Sequence, residues 1–191
     1  MPASDLIRAA RETNSLTQRE LAKLVGLAQP RIAEIESDSH NVSYSRIEEL
    51  LKSLHLKITY IESPLITAWE TAIHMADALK SEKEDLVWRH FIQLNDDLNR
   101  AEDAMKVALA ITEAPSTGEE NYDALIAGLV DHVLSSHKLP LPSWVVHKSR
   151  YLSKPWDVEP IPVLQGAARK STPKAFRSRG IFLSSRELQS V

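Results

Sequence analysis

Cysteine is absent from the 191 residues, and glycine occurs only five times. Without thiols there is no disulfide framework, no thiolate metal site and no cysteine nucleophile, and the chain suits a reducing compartment. Glycine this sparse excludes a turn-rich β sandwich, whose tight connections call for residues tolerant of positive φ. Long apolar runs are missing too. None approaches the roughly 18 residues that a bilayer span requires, and the first five residues show no basic stretch leading into an apolar one. A cytoplasmic location is expected. Charge of one sign is also lacking: 23 Lys and Arg face 26 Asp and Glu, a formal charge of -3, which excludes a strongly basic, DNA-coating protein. Nor does the chain contain a Gly-rich phosphate loop, a G-x-S-x-G elbow or a zincin motif, so no enzyme, metal site or cofactor is expected. What is present in quantity is hydrophobic side chains, 43% of the total, enough to build a mainly α fold around a core.

The near-neutral total conceals a division. Residues 1–62 carry 8 basic and 9 acidic side chains, residues 63–120 carry 5 and 12, and residues 121–191 carry 10 and 5. Six of the ten prolines (Pro140, Pro142, Pro155, Pro160, Pro162 and Pro173) fall within 34 residues, and each removes a backbone donor and discourages helix just before it. Three regions are therefore expected: 1–62, a helical region 63–138, and a Pro-rich wrapping segment with a basic tail, 139–191.

In the first region, Leu6, Ile7 and Ala10 mark a short amphipathic helix. Thr17 followed by Glu20 has the form of a capping box, and Leu21, Ala22 and Val25 give the next helix its buried stripe. Gly26 stands where the chain must turn sharply. Ile32 and Ile35 then bury one face of a third helix and leave Gln29, Pro30, Arg31 and Glu34 outward, with Pro30 near the first turn, where its missing N–H matters least. Ile47, Leu50, Leu51 and Leu54 form a fourth helix. The run LTQRELAKLVGLAQPRIAEIE (16–36) resembles the Cro and phage-repressor type of helix-turn-helix, the xenobiotic response element family. Thr17, Gln18, Glu20, Leu21, Ala22, Gly26, Gln29, Ile32 and Glu36 stand at its characteristic positions. One departure is the absence of glycine from Ser37-Asp38-Ser39-His40-Asn41, which puts the shape of that loop in doubt.

The resemblance implies a sequence-specific repressor of transcription that binds double-stranded DNA at a palindromic operator. Gln18 would meet a phosphate, while Gln29, Arg31 and Glu34 would face base edges or the backbone, with Thr17 and Pro30 on the same surface. That chemistry is sound: Gln can pair with adenine, Arg with guanine, and a carboxylate can accept from cytosine. Arg19, Lys23 and Arg46 are either rim phosphate contacts or ordinary solvated charges. After the fourth helix, Leu56 to Glu62 alternates apolar and polar residues and reads as a strand. Leu56, Ile58, Tyr60 and Ile61 would pair it with the same strand of a second subunit, giving a homodimer, unless it pairs within its own chain or serves as a linker. This arrangement is similar to that of helix-turn-helix antitoxins of toxin-antitoxin modules, which implies a toxin protein as a further partner.

Ser63-Pro64 reads as the start of a helix with Leu65, Trp69, Ala72, Ala76 and Leu79 along one seam. Ser81 to Glu84 has the form of a further capping box. The next helix carries Val87, Phe91, Leu94, Leu98, Ala101, Met105 and Ala108 at alternating spacings of four and three. The two helices pair within one chain or across subunits. The carboxylates here, among them Asp96 and Asp97, are expected on a solvated face. Residues 114–121 read as a loop, and Tyr122 to Leu134 as a strongly amphipathic helix. His132 and His137, five apart, are poorly placed as metal ligands. Trp144 and Trp156 are expected to be buried by the Pro-rich segment. Arg169, Lys170, Lys174, Arg177, Arg179 and Arg186 then form a basic cluster that pairs internally, is solvated, or contacts DNA or a partner. Over LPSWV, KPW and AFRSRGIFLSSRELQSV the tail is similar to those of actinobacterial helix-turn-helix regulators, some associated with nucleotidyltransferase-like toxins. The resulting expectation is an autoregulating antitoxin whose residues beyond 62 bind a toxin. A solitary or phage-type regulator that senses a ligand or mediates assembly is the alternative.

Overall fold

The structure, a computed structural model, describes residues 3–37, 42–58 and 62–188. The fold is mainly α, and the chain divides into two compact units, residues 1–62 and 63–191.

Among the described residues the first unit has four helices: α1 (Ala3–Thr13), α2 (Gln18–Leu24), α3 (Gln29–Glu36) and α4 (Tyr44–Ser53). Their apolar stripes meet in a core of Ile7, Ala10, Leu21, Ala22, Ile32, Ile35, Leu50, Leu51 and Leu54. Thr17 opens α2 with a complete capping box: its hydroxyl accepts the Glu20 N–H, and the Glu20 carboxylate accepts the Thr17 N–H at 2.8 Å. At the other end of α2, Gly26 has φ 68° and the Leu27 N–H returns to the Ala22 carbonyl at 2.8 Å, closing the turn into α3. Among the described residues the same left-handed closure ends four other helices on non-glycine residues, Ser15, His55, Glu82 and Lys138. A chain so poor in glycine leaves this conformation to residues whose Cβ disfavours it.

The strand expected from Leu56 is not found in the described residues: Leu56, Lys57, Ile58 and Glu62 lie outside any ladder. The Leu56 N–H instead closes α4 by donating to the Leu51 carbonyl at 2.9 Å. Tyr60 and Ile61 lie outside the described residues.

The second unit is built on α5 (Ala68–Lys80), α6 (Glu84–Arg100), α7 (Asp103–Ala110) and α8 (Glu120–Ser136). Its core joins Ala72, Met75, Val87, Phe91, Leu94 and Leu98 of the α5–α6 hairpin to Leu125, Ile126, Leu129 and Val130 of α8. Three expectations are corrected here. The first helix starts at Ala68 and not at Ser63, because Thr67 and Glu70 make a full capping box; Ser63 instead accepts the Leu65 N–H at 3.1 Å. Ser81 closes α5 rather than opening α6, whose N-cap is Lys83. The long seam from Val87 to Ala108 spans two helices. Ala101 is extended with ψ 153°, and the buried Lys106 ammonium donates to the Ala101 carbonyl at the break. The apolar spacing survives the interruption because Ala101 and Met105 both still pack on the core.

Two burial expectations also change. Asp97 is buried, with its carboxylate accepting the Ile66 N–H at 3.0 Å. The α8 helix is enclosed along most of its length, Asp123 through Val130 all being buried, so it is a central helix and not an amphipathic one.

The Pro-rich segment wraps this central helix. It runs through 3-10 turns at Ser143–Val146 and Lys148–Arg150, strand β1 (Trp156–Asp157), helices α9 (Pro162–Ser171) and α10 (Lys174–Arg177), strand β2 (Ile181–Phe182) and a last 3-10 turn, Ser185–Leu188. The two strands pair in parallel, Trp156 opposite Ile181. Trp144 is buried and its indole N–H donates to the Ala110 carbonyl at 3.0 Å. Trp156 is only half-buried, its ring edge-on to Tyr122 with centroids 5.5 Å apart.

Half of the expected basic cluster is structural. The wholly buried Arg179 donates to Asp131 at 2.7 Å and to the Val145 carbonyl at 2.9 Å, Arg169 grips Asp157 with two bonds, and Arg177 serves the carbonyls at the end of α9. Arg150, also buried, donates to the Ala114 carbonyl and to Glu113.

Phe176 seats on α8 because Gly128 lacks a side chain: a Cβ there would stand 2.8 Å from the ring. Gly128→Val is therefore expected to destabilise the second unit by about 1–3 kcal/mol through overpacking. Lys138→Gly, which relieves a left-handed cap, should stabilise it by roughly 0.5–1 kcal/mol. Denaturant midpoints at constant m-value check both.

Candidate nucleic-acid interface

One buried carboxylate organises the outward surface of α2 and α3. Ile32 and Glu36 are four residues apart, so Glu36 is turned inward with the apolar stripe, and it is 2% exposed. Arg11 reaches it from α1 with two parallel bonds, Nε to Oε1 at 2.7 Å and Nη2 to Oε2 at 3.0 Å. Arg8 donates to the Glu36 carbonyl. The amide Nε2 of Gln18, at the start of α2, donates to Glu36 Oε2 at 2.9 Å. An ionised carboxylate can only accept, which fixes the direction of everything beyond it. Gln18 must offer its N–H groups inward and its Oε1 outward, and Oε1 accepts from Gln29 Nε2 at 2.9 Å. The result is an ordered row, Arg11 to Glu36 to Gln18 to Gln29, running from the core to the surface.

Burial pushes the Glu36 pKa up, but the hydrogen bonds from Arg11 and Gln18 and the charges of Arg11 and Arg8 outweigh it, leaving the group below the ordinary carboxylate value. Further along α3, Arg31 and Glu34 pair at 2.8 Å, both partly exposed. Whereas Thr17 caps α2 and Ser43 caps α4, Ala28 supplies α3 with no side-chain cap. The positive end of that helix is thus left to solvent or to an external anion.

Comparison with known proteins agrees with this geometry. A helix-turn-helix family model matches residues 7–61. Residues 7–61 are a helix-turn-helix domain. The chain is similar to the uncharacterized HTH-type transcriptional regulator y4dL of Sinorhizobium fredii, 31% identical over 87 residues, 44% of each protein. It is also similar to Antitoxin HipB of Escherichia coli, 28% identical over 85 residues that make up 44% of this chain and 80% of that protein. The match thus covers less than half of this chain and less than half of the regulator. No solved structure matches the chain.

Within the helix-turn-helix domain, Gln18 and Gln29 are brought into direct contact, Thr17 adjoins them as the α2 cap, and Pro30 lies in the first turn of α3. Arg19 is exposed on α2. Arg46 is turned to Glu49 of its own helix at 2.8 Å. It borders a groove with Val25, Lys52 and Ser53, whose lining includes neither glutamine. Arg8, Arg11 and Glu36 were not among the expected site residues, although they hold the glutamine row in place. A signal for them existed: Arg11 follows Ile7 by four and Glu36 follows Ile32 by four, opposite charges at buried-stripe positions of two helices.

Arg11→Met should leave Glu36 buried and unpaired and destabilise this domain by about 3–5 kcal/mol, visible as a large drop in its melting temperature. The pH dependence has a definite sign. Because the Glu36 pKa is depressed on folding, its contribution is fully present above the unfolded value of about 4.3 and is lost as pH falls toward the folded value. A pH titration of domain stability should show that acid-side loss in the wild type and a smaller one in Arg11→Met.

Proposed function

We infer that the protein is a dimeric, sequence-specific repressor of transcription, and that it serves as an autoregulating antitoxin whose residues beyond 62 bind a toxin protein. The observation that carries the DNA-reading part is the ordered row ending in Gln29, at the uncapped N-terminus of α3. Gln18 accepts from Gln29 and anchors it, so Gln29 presents its Oε1 and a remaining N–H outward, the pair of groups that matches adenine N6 and N7. Arg31 and Glu34 hold each other until DNA replaces one partner; an exposed pair of this kind is worth only about 0–1 kcal/mol, a small barrier to a bidentate contact with guanine. The net charge of -1 in residues 1–62 keeps non-specific affinity low and makes a second reading head valuable.

Dimerisation gains support from apolar exposure at the end of the domain. Leu56 is 37% exposed and Ile58 40%, beside a groove that also includes Glu48, Leu51, Lys52 and Lys57. Apolar side chains flanked by charges of both signs suit a self-complementary, two-fold interface. Two recognition helices about 34 Å apart on a palindrome would follow. The antitoxin part rests on the similarity to a protein named as an antitoxin, and on a second unit whose core is separate from that of the DNA-reading domain.

The test is operator binding. Replacing Gln29 and Arg31 together with Ala should weaken specific binding at the native promoter by about 2–6 kcal/mol, while non-specific binding and the melting temperature stay near wild type. A footprint unchanged by the double substitution would sink the reading.

A further inference from the structure

The α9 helix is held almost without burial. Of its ten residues only Ala168 is buried, while Val163 is 84% exposed, Leu164 46%, and the preceding Ile161 50%. Its place is fixed by polar clamps instead. Arg169 grips Asp157 of β1 with bonds of 2.6 and 2.5 Å, Gln165 donates to the Glu159 carbonyl at 3.0 Å, and Thr172 at the end of the helix bonds the Leu183 carbonyl beyond β2 at 3.0 Å. A helix that exists to complete the core would turn Val163 and Leu164 inward. This one is braced so that they point out, and contiguous exposed apolar residues of that kind mark interaction sites.

The same face carries charge. Val163, Ala167 and Lys170 follow the i, i+4, i+7 spacing of one helix face, so Lys170 stands about 10 Å along the axis from Val163. Lys170 is exposed, as is Lys174 at the start of α10. The apolar end at Val163 and the basic end at Lys170, on one helix face, select among partners. Phosphate backbone would gain nothing from Val163 at the most exposed position. A lipid surface would meet only three large apolar side chains, interleaved with Pro160 and Pro162, too few for stable anchoring. An apolar cleft with a carboxylate rim is complementary at both ends.

We propose that α9 is the docking ledge of the second unit. Ile161, Val163 and Leu164 enter an apolar cleft of a partner protein, and Lys170 and Lys174 meet carboxylates at its rim. The assignment rests on the antitoxin reading and locates the surface through which it acts. The partner's contacts bury the three apolar side chains, and the two lysines set the register and the rate of encounter.

Isothermal titration calorimetry tests this with the full-length chain and the purified product of the gene adjacent to its own. Val163→Asp with Leu164→Asp should weaken binding at least tenfold at any salt concentration. Lys170→Glu with Lys174→Glu should weaken it at low salt and much less at 0.5 M salt. Both variants alter exposed side chains and should keep the wild-type melting temperature and operator affinity. Binding that both variants retain overturns the ledge alone. No binding by the wild-type chain overturns the antitoxin reading and the ledge together. Sedimentation of the wild-type chain as a higher oligomer that Val163→Asp dissociates, or its flotation with phosphatidylglycerol vesicles, would assign the ledge to a second copy or to membrane and overturn the proposal.

Discussion

A carboxylate that can only accept hydrogen bonds sits at the centre of the helix-turn-helix domain. Glu36 is enclosed, receives both arms of Arg11, and forces Gln18 to turn its N–H groups inward. The outward direction of Gln29 follows from that choice, one hydrogen bond at a time. Had a neutral side chain stood at position 36, Gln18 could have bonded in either sense, and Gln29 would have had two orientations to choose from. The buried pair also joins α1 to α3, so the ion pair that sets amide direction is part of the same packing that holds α3.

The second unit solves a different problem with the same residue type. Its central helix, α8, is enclosed by α5, α6 and α7 and by an irregular, Pro-rich segment that supplies few ladder bonds of its own. Buried arginines compensate. Arg179 fastens the region before β2 to Asp131 of α8 and to the Val145 carbonyl, and Arg150 fastens the second 3-10 turn to the loop before α8. Each lies over an aromatic ring, Arg179 above Tyr151 at 4.9 Å and Arg150 above Trp144 at 5.2 Å, which offsets part of the loss of hydration. Burial of Arg150 and Arg179 takes two charges out of the tail's surface, while Lys170, Lys174 and Arg186 stay exposed.

Features written in local chemistry were legible from the sequence. The Thr17–Glu20 capping box, the Gly26 turn and the inward faces of α2 and α3 depend on residues close in the chain, and so did the outward placement of Gln29, Arg31 and Glu34. Long-range features were not. Counting basic residues could not tell Arg179, buried against Asp131, from Lys170, exposed on α9. Apolar periodicity could not reveal the break at Ala101, because the residues on both sides still face the core. Ser63-Pro64 met the N-cap and N1 preferences, yet the helix opens after Thr67, where Glu70 completes a capping box. Alternation in Leu56 to Glu62 suggested a strand, but among the described residues Leu56, Lys57, Ile58 and Glu62 join no ladder.

The most direct measurement is a double-mutant cycle on operator affinity at fixed salt, with Gln18→Ala, Gln29→Ala and the pair together. If the row from Glu36 outward acts as one unit, the two losses are coupled, and the double substitution departs from their sum by about 0.5–3 kcal/mol. Losses that add within about 0.3–0.5 kcal/mol, or an operator affinity that neither substitution changes, would contradict it.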